Sequence, residues 1–244
     1  MVEITEYESG QALAEPLPPY ALVQRLFFAA CIFLGPVTFL LYAVFNPAGS
    51  ARSVGDVIAA NAAANAGVNG LHLLFGVLAS FLLPAGYLGM ALLALGRRPR
   101  LGTICLLLAL PSWTPLSAMI ALDALSADVA RMGGGAQLAA LWAMFNADGV
   151  MLSFLIVYAV VHLVSTVLLG VALGWSGLIP RWYGVALIAS SPLTIVAVAS
   201  HLTVLLYAVS ALLVVGCTPA AVKMAKGTGG GPSLHTPAQP ASEG

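Results

Sequence analysis

The chain has 244 residues, of which 60% are hydrophobic and only 7% charged, with a formal net charge of zero. A soluble globular domain carries about 25% charged residues, so a water-exposed surface is excluded for most of this chain. The zero net charge leaves no basic footprint for nucleic acid.

Residues 1–20 read as a polar cytoplasmic tail with disordered composition, acidic at Glu3, Glu6, Glu8 and Glu15 and proline-bearing at Pro16, Pro18 and Pro19. This is not the basic n-region of a cleavable signal peptide, so the first apolar run is expected to act as an uncleaved anchor. The transmembrane domain is predicted over 21–222. Its first span covers about 22–45 and contains Pro36, which implies a kink. Asn46-Pro47 stops it. The segment that follows repeats Val54, Val57 and Ile58, and likewise Asn61, Asn65 and Asn69, at helical spacing. It reads as a short amphipathic helix on the membrane surface, with the Asn stripe as its solvated face.

Span two is predicted at about 70–95, followed by Gly96-Arg97-Arg98-Pro99-Arg100. Span three is predicted at about 101–124. Pro111 and Pro115 each remove a helix donor, so this span is expected to bend or break near Trp113. A second long loop, 125–148, holds the Gly133-Gly134-Gly135 hinge and an amphipathic stretch, QLAALWAMF. Span four covers about 149–174.

From Gly184 to Cys217 the chain is apolar almost without interruption. As one helix it would run about 50 Å, too long for a single crossing of about 30 Å of hydrocarbon. Two spans are predicted, about 183–199 and 202–219, turning near Ser200-His201. Residues 223–244 read as a disordered cytoplasmic tail. The fold class is therefore an all-α polytopic membrane helix bundle with six transmembrane helices.

Charge gives the orientation. With both termini inside, Arg25, Arg97, Arg98, Arg100, Arg181, Lys223 and Lys226 are inside and only Arg52 and Arg131 outside, a positive-inside bias that favours N-in/C-in. A five-span topology would move both lysines outside. The expected location is the cell membrane, multi-pass, with the lipid bilayer as the principal partner and a homo-oligomer or membrane partner as a further one.

Two sets of residues carry chemistry. In span four Tyr158, His162, Thr166, Gly170 and Gly174 recur every four residues and share a face. The two glycines allow close helix approach, so that face points into the bundle and brings His162 near mid-membrane, and an outer vestibule would reach both it and Trp113 of the broken span. An ionisable group there is a functional candidate. A hydrogen-bonded joint between helices is the commoner use of such a histidine. The second set is His72, Asp123, Asp148 and His201, which the topology brings to the outer face from four separate segments. Two histidines and two carboxylates are suitable ligands for zinc or another divalent metal. His72 and His201 could instead bind haem axially. Solvated helix ends explain the same residues more simply, so no metal and no cofactor is assigned.

Cys31, Cys105 and Cys217 lie in apolar runs without CxxC spacing, which suits small buried hydrophobes. G-x-S-x-G, H-E-x-x-H and phosphate-binding loop motifs are missing, and no catalytic residue is assigned. The expected function is that of a non-enzymatic membrane or partner-binding protein. The alternatives are a small-molecule carrier or sensor with an outward-facing polar vestibule, and a metal- or haem-binding membrane redox protein.

Arg25-Leu26-Phe27 at the first span, LLPAGYLGMAL at 82–92 and the loop Ser176-Gly177-Leu178-Ile179-Pro180-Arg181-Trp182-Tyr183-Gly184 resemble a broad family of six-helix bacterial membrane proteins, of the domain-of-unknown-function type, over about 22–200. The resemblance implies the six-helix topology and carries no activity with it.

Overall fold

A computed structural model describes residues 19–227. The predicted tails fall outside the described residues over 1–18 and 228–244. Among the described residues the chain forms nine α-helices and no strand: α1 Pro19–Val44, α2 Val54–Ala63, α3 Ala66–Leu95, α4 Pro99–Ala109, α5 Leu116–Arg131, α6 Ala136–Ala147, α7 Gly149–Gly174, α8 Arg181–Ser200 and α9 Thr203–Lys226. Five of them, α1, α3, α7, α8 and α9, are long and apolar enough to cross a membrane. All-helical backbone is what a bilayer demands, because each peptide group there must find its partner within the protein.

The third predicted span is not one helix. α4 ends at Ala109, a turn occupies 110–115, and α5 runs on to Arg131, seven residues past the expected end. Pro111 and Pro115 supply no donor, and the Ser112, Thr114 and Ser117 hydroxyls bond the carbonyls of Ala109, Leu110 and Thr114 at 2.8, 2.8 and 2.5 Å. The Leu110 and Thr114 carbonyls also accept backbone N–H groups, so the hydroxyls reinforce the bonds of the turn itself.

The Asn stripe also differs from expectation. α2 stops at Ala63, and Asn65 caps α3 by accepting from the Gly67 N–H at 2.7 Å. Asn61 is buried rather than solvated, donating to Val57 O and to Ser126 Oγ, while Asn69 Nδ2 donates to Asn61 O. α2 leans on α5, so its polar stripe becomes an interface.

The last helix reaches Lys226, which corrects the expected tail boundary at 223. Gly227 closes it in a left-handed conformation, φ 67°. Lys223 and Lys226 sit in its last turn, where cations favour the helix dipole. Arg25 of α1 reaches across and donates to Ala225 O at 2.8 Å and to Met224 O at 3.5 Å. α8 and α9 are joined by a tight turn at His201, itself left-handed with φ 53°.

The main core runs through α1, α3, α4, the first half of α5, α7, α8 and α9, with Ile32, Leu83, Met90, Leu173, Leu187 and Cys217 fully buried. A second, smaller core of Ile58, Leu122, Val129, Trp142 and Met151 joins α2, α5, α6 and the start of α7 into a cap over one end of the bundle. Trp142 Nε1 locks this cap by donating to Leu122 O at 3.2 Å. Small residues set the helix spacing. A Cβ on Gly184 would lie 2.8 Å from Gly170 O and 3.0 Å from Gly174 Cα, so α7 and α8 meet backbone to backbone.

Candidate functional site

Below the cap, three helices converge on one carboxylate. Tyr42 lies in the last turn of α1, His72 in the second turn of α3 and Asp123 midway along α5. Tyr42 Oη donates to Asp123 Oδ2 at 2.5 Å. His72 Nε2 lies 3.2 Å from the same oxygen. His72 Nδ1 is 2.8 Å from the backbone carbonyl of Tyr42. The Tyr42 and His72 rings stack at 4.4 Å and 14°.

This geometry assigns protons. A carbonyl oxygen only accepts, so Nδ1 of His72 carries a hydrogen. The Tyr42 carbonyl is one of the last four of α1, which lack regular helical donors. One proton is then shared across the Nε2···Oδ2 contact. With it on nitrogen the pair is imidazolium and carboxylate; with it on oxygen both are neutral. The His72 side chain is 5% exposed and that of Asp123 is 32% exposed, so the pair is open to its surroundings on the Asp123 side.

A second cluster lies deeper. Trp113, fully buried in the turn between α4 and α5, sets its ring 4.4 Å from His162, edge to face, and 5.9 Å from Tyr158. Tyr158 and His162 stack, with ring centres 5.2 Å apart. Thr166 Oγ1 is 2.8 Å from Tyr87 Oη and 3.4 Å from His162 Nδ1. Trp113 Nε1 and Ser165 Oγ are buried without a hydrogen-bond partner among the described residues. Phe39 connects the two clusters: its ring is 5.4 Å from Trp113 and 6.0 Å from Tyr42. A continuous column of rings thus runs from His72 through Tyr42, Phe39 and Trp113 to His162.

Of the four residues expected at the outer face, His72 and Asp123 meet. Asp148 instead caps α7, its Oδ1 accepting from the Val150 N–H at 2.8 Å. His201 is exposed in the α8–α9 turn. Among the described residues no three His, Cys, Asp or Glu side chains form a group that could hold a metal ion. Both ring nitrogens of His72 are engaged, which leaves neither free as an axial ligand in this arrangement. The sequence reading missed Tyr42, Phe39 and Tyr87. The signal at Tyr42 was a phenol one turn before the Asn46-Pro47 stop, where a hydroxyl at a helix end needs a partner. At Tyr87 it was a lone hydroxyl inside an apolar run.

No family model, no curated protein and no solved structure matches the chain.

Proposed function

We propose that the chain is a multi-pass protein of the cell membrane that senses protons through Tyr42, His72 and Asp123 rather than catalysing bond chemistry. In this reading α4 and α5 together form an interrupted crossing, which brings the number of crossings to six. Both termini are inside and the capped end faces outward. The charge asymmetry supports that orientation, since Arg97, Arg98, Arg100, Arg181, Lys223 and Lys226 lie at the end opposite the cap. Membership of the six-helix bacterial family named above belongs to the same proposal.

The observation that carries the sensor is the doubly used oxygen, Asp123 Oδ2. While ionised, Asp123 draws Tyr42 of α1 and His72 of α3 towards α5. Protonation removes that charge and leaves two donors competing for a weaker acceptor. The element released is α5, which carries the α2–α6 cap on one side and adjoins the Trp113 turn on the other. The ring column transmits the shift to His162.

The test is infrared difference spectroscopy of the purified protein between neutral and acid pH. The expected result is a carboxylic C=O band that vanishes in Asp123→Asn and moves in His72→Gln. An unchanged band in Asp123→Asn, or no band in the native protein, would overturn the assignment.

A further inference from the structure

The end opposite the cap holds a built hollow that the proton site does not use. α3 passes to α4 through only Gly96, Arg97 and Arg98, so three arginines crowd one corner. Arg97, Arg98, Arg100, Leu101, Val171 and Trp175 line an open hollow of about 540 Å³ between that corner and the end of α7. Its floor is apolar, from Leu101 and Val171. Its rim is cationic, and Trp175 stands beside it, 49% exposed.

Among the described residues none of these guanidinium groups pairs with a carboxylate. Among the described residues the ion pairs are His72–Asp123 and Arg131–Asp128, both at the capped end. Arg98 Nη2 makes one long bond to Trp175 O at 3.4 Å, which ties the rim to α7. Helix α4 opens here with Pro99 in its first turn and no side-chain cap at Arg98. Its first-turn N–H groups therefore add positive potential to the rim. Along the helices from this corner, Ile104 and Leu107 of α4 and Val164 of α7 are exposed apolar side chains.

We infer that this hollow binds the phosphate headgroup of an anionic phospholipid, with an acyl chain lying along α4 and α7. Charge complementarity selects an anion, and arginine forks match phosphate oxygens. The apolar floor and the exposed strip beyond it select a lipid over a free phosphate. Exposed tryptophan places the rim at headgroup depth. A topological role alone needs only positive charge, whereas a cationic rim over an apolar floor is what a headgroup with attached chains requires. The inference rests on the membrane reading above but is independent of the Asp123 proton site.

The experiment uses the whole protein in detergent micelles, titrated with phosphatidylglycerol or phosphatidylcholine, with retained lipid counted by native mass spectrometry. Saturable binding of one phosphatidylglycerol, at least about tenfold tighter than phosphatidylcholine, is expected. The triple variant R97Q/R98Q/R100Q is expected to lose that preference, and K223Q/K226Q, which removes charge at the same end, to keep it. A second measurement guards against a variant that fails to fold: phosphatidylglycerol with brominated chains should quench native fluorescence, and less so in Trp175→Phe. Equal affinity for the two lipids, equal loss in both charge variants, or displacement of the lipid by millimolar inorganic phosphate would each overturn the inference. Failure here with an intact Asp123 band would leave the sensor standing, and the reverse result would leave the lipid site standing.

Discussion

The His72–Asp123 contact gives the sharpest quantitative prediction, through the variants Asp123→Asn, His72→Gln and their combination. At 3.2 Å and an effective dielectric of about 20, the Coulomb attraction of the charged pair is about 5 kcal/mol. Two effects reduce it. Removing both groups from water costs several kcal/mol, and the one-third exposure of Asp123 screens its charge. Breaking a fully buried pair costs about 3–5 kcal/mol, so Asp123→Asn should destabilise by about 2–3 kcal/mol. The coupling between the two sites should be about 1–3 kcal/mol, as for residues in direct contact. The assay is reversible unfolding in mixed micelles, followed by helical circular dichroism.

Two strictly additive single variants, with coupling below about 0.5 kcal/mol, would refute the shared-proton geometry.

Three further outcomes follow from local geometry. Gly184→Ala should cost about 1–3 kcal/mol in thermal unfolding, because its Cβ meets the backbone of α7 at 2.8 and 3.0 Å; Gly70→Ala, with open space around it inside α3, should instead stabilise by about 0.5–1 kcal/mol. Arg25→Gln should release the end of α9, read as faster amide exchange over 224–227, while exchange in α3 stays unchanged. The Ser53 hydroxyl, then the Arg52 backbone, hold the Asp56 carboxyl below the ordinary carboxylate range. A lowered value means that the α2 cap is intact at neutral pH and lost as pH falls through that lowered value. Amide exchange in α2 should accelerate there, and Ser53→Ala should show the fast exchange already at neutral pH.

The helical class was legible because removing charge from long segments leaves few ways to satisfy a backbone in lipid. The interruption at Trp113 was legible for the same local reason, two prolines four residues apart. The cap was harder to read. Asn61, Asn65 and Asn69 have the period of a solvated face, yet Asn65 ends the pattern as a cap and Asn61 turns onto Ser126. That pairing joins residues 65 apart, and no local period encodes it. The site was half legible: His72 and Asp123 stand out as rare polar groups near predicted span ends. Tyr42 does not, since a tyrosine near an interface is ordinary, and only the antiparallel packing of α1 on α3 brings it under the histidine. Asp148 shows the converse. Its chemistry suited a ligand, but a carboxylate one residue before a helix is more readily a cap.

The two ends of the bundle handle charge in opposite ways, and this divides their roles. At the capped end each carboxylate has a partner inside the protein: Asp56 in its capping box, Asp123 between Tyr42 and His72, Asp128 with Arg131, and Asp148 at the start of α7. A proton arriving there must break or weaken an existing contact, so protonation acts on structure. At the opposite end Arg25 is occupied by α9, while Arg97 and Arg100 line the hollow with no carboxylate partner among the described residues. Charge there acts on the surroundings. If anionic lipid holds that corner to the bilayer, the α3–α4 turn and the end of α7 become the fixed frame, and motion from Asp123 must appear in α5 and the cap. Amide exchange measured in phosphatidylglycerol bilayers at neutral and acid pH separates the two. Acid should accelerate exchange in α2, α5 and α6 and leave 96–102 and 171–176 unaltered. Acceleration confined to the arginine corner would reverse this division.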